Sequence, residues 1–226
     1  RAKGAPLRLV AVSGWRKFHL LSRDPDVQGF DDLMDRELAV TPPGTPGIPV
    51  LESVLGRQRR LRFAPYHPQQ LAMAIVQGKV DTALVPEPLA TILLRKAPDL
   101  RVVENLADRV AREVGGPSRL PLAGIAVHED LARWHPERVQ LLLEGMVARA
   151  EELKNDNRSA SRVLPAAFDD YVPRTVVEES LQRDSILVMP AADVRDEILG
   201  FLRLAAPDAV YELDEDFIWT APAQKP

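Results

Sequence analysis

Short apolar, β-branched runs alternate along the first half of the chain with stretches whose apolar residues recur at helical spacing. Residues 7–13 (LRLVAVS) form a continuous run that predicts a buried strand, stopped by Gly14 and Trp15. Residues 18–22 (FHLLS) predict a second short strand, 30–34 (FDDLM) a helical turn and 37–41 (ELAVT) another strand. A breaker cluster follows, Pro42, Pro43, Gly44, Thr45, Pro46 and Gly47. Ile48, Leu51, Val54 and Leu55 then predict a helix over 48–58. The alternation continues with a strand at 61–66, a helix at 67–78 opened by Pro68, a strand at 80–85, a helix at 86–96 with Arg95 and Lys96 in its last turn, a strand near 100–103 and a helix at 106–114. Strand–helix alternation of this kind predicts a mostly parallel sheet covered by helices.

Beyond a further strand at 122–127 (LAGIAV) the period becomes helical almost to the end. The longest helix is predicted over 136–154, with Val139, Leu142, Leu143 and Met146 buried and Glu151, Glu152 and Lys154 exposed. Pro165, Pro173 and Pro190 divide the remainder into shorter helices, the clearest at 172–183 and 191–204. Residues 211–219 (YELDEDFIW) read as an extended or one-turn piece.

Composition narrows the function classes. The 226 residues suffice for one large domain or two lobes of about 100 residues each. With 29 basic against 33 acidic residues, the net charge of -4 lacks the basic excess of a general nucleic-acid binder. No apolar run reaches the length of about 18 residues that a membrane span needs. The absence of cysteine removes disulfides, thiolate chemistry and Cys-ligated metals. The chain opens on Arg rather than Met, as a processed chain or a fragment does.

The usual chemical motifs are not there either. The sequence has no phosphate-binding GxxxxGK[ST] or GxGxxG, no GxSxG nucleophile elbow and no HExxH. His19, His67, His128 and His135 are scattered over different elements, and His128 with Glu129 and Asp130 reads as a helix start. The adjacent carboxylates Asp31–Asp32, Glu151–Glu152, Asp169–Asp170 and Glu178–Glu179 read as solvated helix faces, because neighbouring helix residues diverge in direction. No catalytic set, cofactor or metal is expected.

Two stretches carry more. Residues 41–47 (TPPGTPG) follow a strand and precede a helix, so Gly44 and Gly47 permit close backbone approach and the free N–H groups at the helix start can bind an anion or polar ligand; a plain turn capped by Thr45 is the alternative. In residues 80–88 (VDTALVPEP), Glu87 is held between Pro86 and Pro88 at a strand exit. There it either faces the ligand edge of the sheet or complements the dipole of the next helix.

Residues 78–90 (GKVDTALVPEPLA) resemble the G-x-v-D-a-a-v-x-x-E-P segment of ABC-importer substrate-binding proteins of the nitrate/sulfonate/taurine and thiamine-precursor type. Residues 30–40 (FDDLMDRELAV) resemble the family's entry to its second lobe, with Asp35 or Arg36 where glycine is usual, and 123–139 resemble its return strand and following helix. The resemblance covers about 30–210 in matching order. It implies an α/β, type 2 periplasmic-binding-protein-like fold, with two lobes, mostly parallel sheets and a helical C-terminal part. Residues 38–118 would form lobe two, and 1–37 with 119–226 lobe one. Before the strand at 7–13 the family usually carries about 60–80 further residues, most of a small lobe's length.

The function the resemblance implies is extracytoplasmic, or periplasmic, solute binding: a monomer that delivers a small polar or anionic molecule to the membrane subunits of an ABC importer, with no chemistry, cofactor or nucleic acid. An enzyme on the same fold, of the menaquinone- or thiamine-precursor-pathway type, and an effector-sensing domain of a regulator are the alternatives. The expected ligand cleft joins strand ends, with Ser13, Gly14 and Trp15 from lobe one and Gly44, Thr45, Tyr66, Pro86 and Glu87 from lobe two. Arg16, Lys17 and Arg119 are candidates to answer an anion, and Trp15 and Tyr66 to stack on a ring, against solvated turns and core packing respectively.

Overall fold

A computed structural model describes residues 5–55, 61–156, 158–184, 186–210, 213 and 215–222. In chain order it contains β1 (Leu7–Gly14), β2 (Phe18–Ser22), β3 (Glu37–Val40), α1 (Gly47–Leu55), β4 (Arg62–Pro65), α2 (Pro68–Val76), β5 (Thr82–Pro86), α3 (Leu89–Lys96), β6 (Arg101–Asn105), α4 (Leu106–Val114), β7 (Ala123–His128), α5 (Glu129–Trp134), α6 (Pro136–Asn155), α7 (Arg158–Val163), α8 (Arg174–Arg183), β8 (Met189–Pro190) and α9 (Arg195–Ala205). Every strand and helix expected as far as residue 127 has a counterpart. The end of the helix expected over 48–58 falls partly outside the described residues.

The chain folds as two compact units, Arg1–Trp15 with Leu120–Ser159 and Ser185–Pro226, and Arg16–Arg119 with Ala160–Asp184. The first is organised around β1, which pairs antiparallel with β7 on one side and β8 on the other. Val10 and Ala11 pack with Val127, Val139, Leu143 and Trp219, while Val12 and Trp15 pack with Ala191, Val194, Ile198 and Ile218. On α6, Val139 and Leu143 are buried, Met146 is partly so, and Glu151, Glu152 and Lys154 are exposed, as expected. Leu142 is not: it is 43% exposed against 6% for Leu143. At about 100° per residue it sits some 60° from Val139, at the margin of a stripe that leans the other way through Leu143 and Val147. Within 211–219, residues 211, 212 and 214 lie outside the described residues; Glu215–Phe217 form a 3-10 turn and Ile218 bridges Leu9.

The second unit holds a five-stranded sheet in the order β4-β3-β5-β2-β6. Strands β3, β4 and β5 run parallel, β2 runs antiparallel to both its neighbours, and β6 therefore points the same way as β5. Leu71 and Ile75 of α2 and Ala90 and Leu93 of α3 cover one face over Leu21, Ala39, Ala83 and Val85. Gly47 of α1 meets Leu84 and Leu106 on the other face, where a Cβ would stand 2.9 Å from Leu84 Cδ2.

Two expectations are corrected here. The sheets are mixed rather than mostly parallel: the first unit's pairings are antiparallel, and β2 is a reversed strand inserted between β5 and β6. The division of the chain also moves. Residues 16–37 fold with the second unit because β2 hydrogen-bonds along β5 and β6, and Ala160–Asp184 joins it too, with Arg95 of α3 binding Glu179 at 2.8 Å and Thr175 Oγ1 at 2.9 Å on α8.

Candidate ligand-binding site

In the second unit, the shared direction of β3, β4 and β5 brings Thr41, Tyr66 and Glu87 to one edge of the sheet. The reversal of β2 brings its start, Lys17 to His19, to the same edge, and β6 ends there at Asn105. This is the carboxyl edge, where parallel sheets bind ligands.

Glu87 is buried, and burial pushes its carboxyl group above the ordinary carboxylate range, against the pull of Thr91 and Arg183. Its Oε2 accepts from the Thr91 backbone N–H at 3.1 Å and from Thr91 Oγ1 at 2.8 Å. Its backbone N–H donates to Lys17 O at 2.9 Å, which extends the β2–β5 ladder by one residue. Arg183, at the end of α8, donates to Thr91 Oγ1 and to Glu179, each at 2.8 Å, and its Nη1 lies 3.6 Å from Glu87 Oε1. Oε2 thus ties down the start of α3, as the helix-dipole reading has it, while Oε1 has no hydrogen-bond partner. The Thr41–Pro42 and Glu87–Pro88 peptide bonds are both cis.

His19 is 3% exposed and, chiefly through burial, its imidazole pKa falls to about 4. Asn105 Nδ2 lies 3.3 Å from His19 Nδ1 and donates to Arg16 O at 2.9 Å, while its Oδ1 caps α4 through the Ala107 N–H at 2.8 Å. An amide donor facing Nδ1 places the imidazole proton on Nε2. That atom, like Thr41 Oγ1, is buried without a partner.

Two of the cations expected to answer an anion, Arg16 and Lys17, are engaged within the unit. Arg16 forms a fork to Asp108 at 2.7 and 2.9 Å and donates to Ser118 O at 2.7 Å, which holds the Asp108 carboxyl below its usual range. Lys17 is paired with Asp184 at 2.5 Å. The turn at 41–47 is mostly self-satisfied. Gly44 adopts φ +74, Thr45 is buried, and the N–H groups of Gly47 and Ile48 reach Thr45 Oγ1 and O at 3.5 and 3.3 Å. Pro46 and Pro49 offer no donors there, so the start of α1 follows the capped-turn reading rather than an anion cradle. Tyr66 donates its N–H to Val40 O at 2.9 Å and packs partly buried on the α2–α3 core; Pro86 is partly buried opposite Phe18.

In the first unit, Ser13 stays partly exposed near the end of β1, and Gly14 pairs with Ala123. Trp15 takes the packing alternative: it is 1% exposed, sits in the core with Val12 and Ile198, and donates Nε1–H to Leu187 O at 2.7 Å. A groove of about 990 Å³ in this unit is lined by Arg8, Arg133, Arg195, Asp216 and Trp219 among others, and one of about 260 Å³ lies at the opposite edge of the second unit's sheet, beside Asp24 and Asp81. None of the expected residues lines either. Among the described residues no group of His, Cys, Asp and Glu is arranged to hold a metal, and no helix is long and apolar enough to cross a membrane.

Sequence reasoning missed Thr91, Arg183, Asp184 and Asn105. Thr91 carried a usable signal, since it stands one helical turn after Glu87. Arg183 and Asp184 carried none, being brought in from a distant segment.

The fold, α/β with two mixed sheets and a helical C-terminal part, is of the type 2 periplasmic-binding class, as its likeness to solved structures shows. Solved structures that share it include ABC-transporter components and periplasmic sulfonate-binding proteins. An ABC transporter from Parabacteroides distasonis superposes with TM-score 0.74 at 21% identity, over 99% of this chain and 76% of that one. The periplasmic aliphatic sulphonate binding protein SsuA from Escherichia coli gives 0.71 at 18% identity, over 100% and 73%. The alkanesulfonate-binding protein SsuA from Xanthomonas axonopodis pv. citri, bound to MOPS, gives 0.61 at 18% identity, over 91% and 74%. At these identities the likeness establishes the fold. No protein-family profile and no curated protein matches the sequence.

Proposed function

We propose that this chain is the extracytoplasmic solute-binding component of an ABC importer. It binds a small polar or anionic molecule, without changing it chemically, and hands it as a monomer to the importer's membrane subunits. The observation that carries the reading is the convergence of Thr41, Glu87 and His19 on the carboxyl edge of one sheet, each with a buried polar atom lacking a hydrogen-bond partner. Such atoms are costly in a folded chain unless something fills their hydrogen-bonding capacity. The fold shared with binding proteins supports the same role. Gly44, Thr45, Tyr66 and Pro86 are proposed as surrounding wall, with Glu87 as a direct contact.

The reading is tested by screening purified protein for thermal stabilisation against small anions, amides, polyols and heterocycles, since a ligand of the native state raises stability as RT ln(1 + [L]/Kd). Saturable stabilisation with unchanged ligand recovered afterwards supports binding without catalysis. Ligand consumed by the protein, or no stabilisation by any compound, overturns it.

A further inference from the structure

The register of the second unit's sheet locates the three atoms without a hydrogen-bond partner relative to one another. Val40 aligns with Leu84, so Thr41 falls beside Val85, and Val85 is paired with His19 on the other side. Thr41, Val85 and His19 therefore form one row across β3, β5 and β2, and residues aligned across a sheet share a face. Val85 and Leu21 belong to the α2–α3 core, so the row's side chains lie on that face. Glu87, two residues beyond Val85, lies on the same side one step nearer the sheet's end. With strands about 4.8 Å apart, Thr41 and His19 are roughly 10 Å apart at the backbone, with Glu87 some 7 Å beyond the line between them. Three polar side chains thus lie on one face of the sheet, within about 10 Å of one another at the backbone.

Their chemistry is not that of an anion site. Glu87 Oε1 only accepts, Thr41 Oγ1 accepts or donates, and His19 Nε2 donates from a neutral ring. The nearby cations are already matched: Lys17 by Asp184, Arg16 by Asp108, Arg183 by Glu179 and Thr91.

Resting on the binding-protein reading, we propose that His19, Thr41 and Glu87 form the polar floor of the ligand site, and that the ligand is uncharged or cationic, with an N–H or O–H donor set beside an acceptor, as at the edge of an amide or lactam. The donor meets Glu87 Oε1, the acceptor takes the His19 Nε2–H, and Thr41 serves either. The Arg183 side chain, 27% exposed, lies 3.6 Å from Oε1 and borders the site.

Calorimetry with two arms of compounds tests this: primary amides and lactams in one, alkanesulfonates, taurine and nitrate in the other. The expected result is binding in the first arm, weakened roughly tenfold in each of Glu87→Gln, Thr41→Val and His19→Asn, the scale of one lost hydrogen bond to a charged or buried group. His19→Asn keeps an acceptor near the Nδ1 position for Asn105 while deleting Nε2. In a spectrum of protein labelled with ¹⁵N-histidine, the His19 Nε2–H resonance shifts when a first-arm compound binds. Binding confined to the second arm overturns the inference and leaves the binding-protein reading standing. First-arm binding that all three variants retain, with the His19 resonance unmoved, has the same meaning. No binding in either arm overturns both.

Discussion

Arg183 and Glu87, far apart in sequence, face each other at 3.6 Å across the start of α3, and Thr91 links them by accepting from Arg183 and donating to Glu87. The arrangement is a relay rather than a simple pair. Glu87 is buried and Arg183 is partly exposed, so the carboxylate bears most of the desolvation and the guanidinium keeps some water. The relay also fastens α8 to the sheet's carboxyl edge, beside the Lys17–Asp184 pair.

Removing Arg183 leaves the Glu87 carboxylate with Thr91 alone. Arg183→Met is expected to cost about 1–3 kcal/mol at neutral pH, the cost of uncovering a largely buried charge. Glu87→Gln alone is expected to cost less than about 1 kcal/mol, because its amide oxygen still accepts from Thr91. In the double variant the loss from Arg183→Met shrinks, and urea denaturation of the four proteins measures that coupling. Additive losses would show that Arg183 acts only through Glu179 and Thr91.

On α6, the burial difference between neighbouring leucines predicts opposite outcomes. Leu143→Ala is expected to cost about 2–4 kcal/mol, because it opens a cavity among Val10, Val127 and Val139. Leu142→Ala, at the exposed margin, is expected to fall within about 1 kcal/mol of the parent. Equal losses in chemical denaturation would mean that the helix is rotated from the orientation described.

That contrast also marks how far the sequence could be read. Period and breakers located β1 to β7 and α1 to α4 within a few residues, because local propensity and burial agree there. They did not reveal that β2 is reversed, since a short apolar run has the same pattern in either direction. Its pairing with β5 and β6 moved residues 16–37 into the second unit. At the sheet's carboxyl edge, Glu87 was singled out because two prolines frame it, and Gly44 because a turn needed it. Trp15 was ambiguous, as an aromatic after a strand suits a core or a ligand wall equally. Asn105, Arg183 and Asp184 join the edge only through tertiary structure, and no local pattern announces them.

Two glycines of the turn before α1 are expected to respond for different reasons. Gly44→Ala meets no atom within 4 Å, so its cost is the left-handed backbone alone, about 1 kcal/mol. Gly47→Ala places a Cβ 2.9 Å from Leu84 Cδ2 and forces the core to shift, for which about 1–3 kcal/mol is expected. Thermal denaturation of both variants, with Gly47→Ala as the less stable, checks the order. The reverse order would mean that Leu84 moves aside freely.

His19 gives the fold a pH dependence whose sign is set by burial. Its folded pKa of about 4 lies below the ordinary 6.5, so the folded chain refuses a proton that the unfolded chain accepts. Above about pH 6.5 both states hold a neutral ring and nothing is lost. As the pH falls from there toward 4, the unfolded state gains the proton first and stability declines, by up to about 3 kcal/mol in all, levelling below that value. Asp184 and Asp108 favour the charged ring and Arg16 and Arg183 oppose it, so the surroundings largely cancel and desolvation decides. Glu87, with its pKa raised, works in the other direction by taking up a proton in the folded state. The parent therefore has to be compared with His19→Asn across pH 4 to 8. The stability difference between the two is expected to shift in favour of the variant as the pH drops through that window. Parallel profiles would mean that His19 takes up its proton at the same pH in the folded as in the unfolded chain, and that burial does not hold the ring neutral.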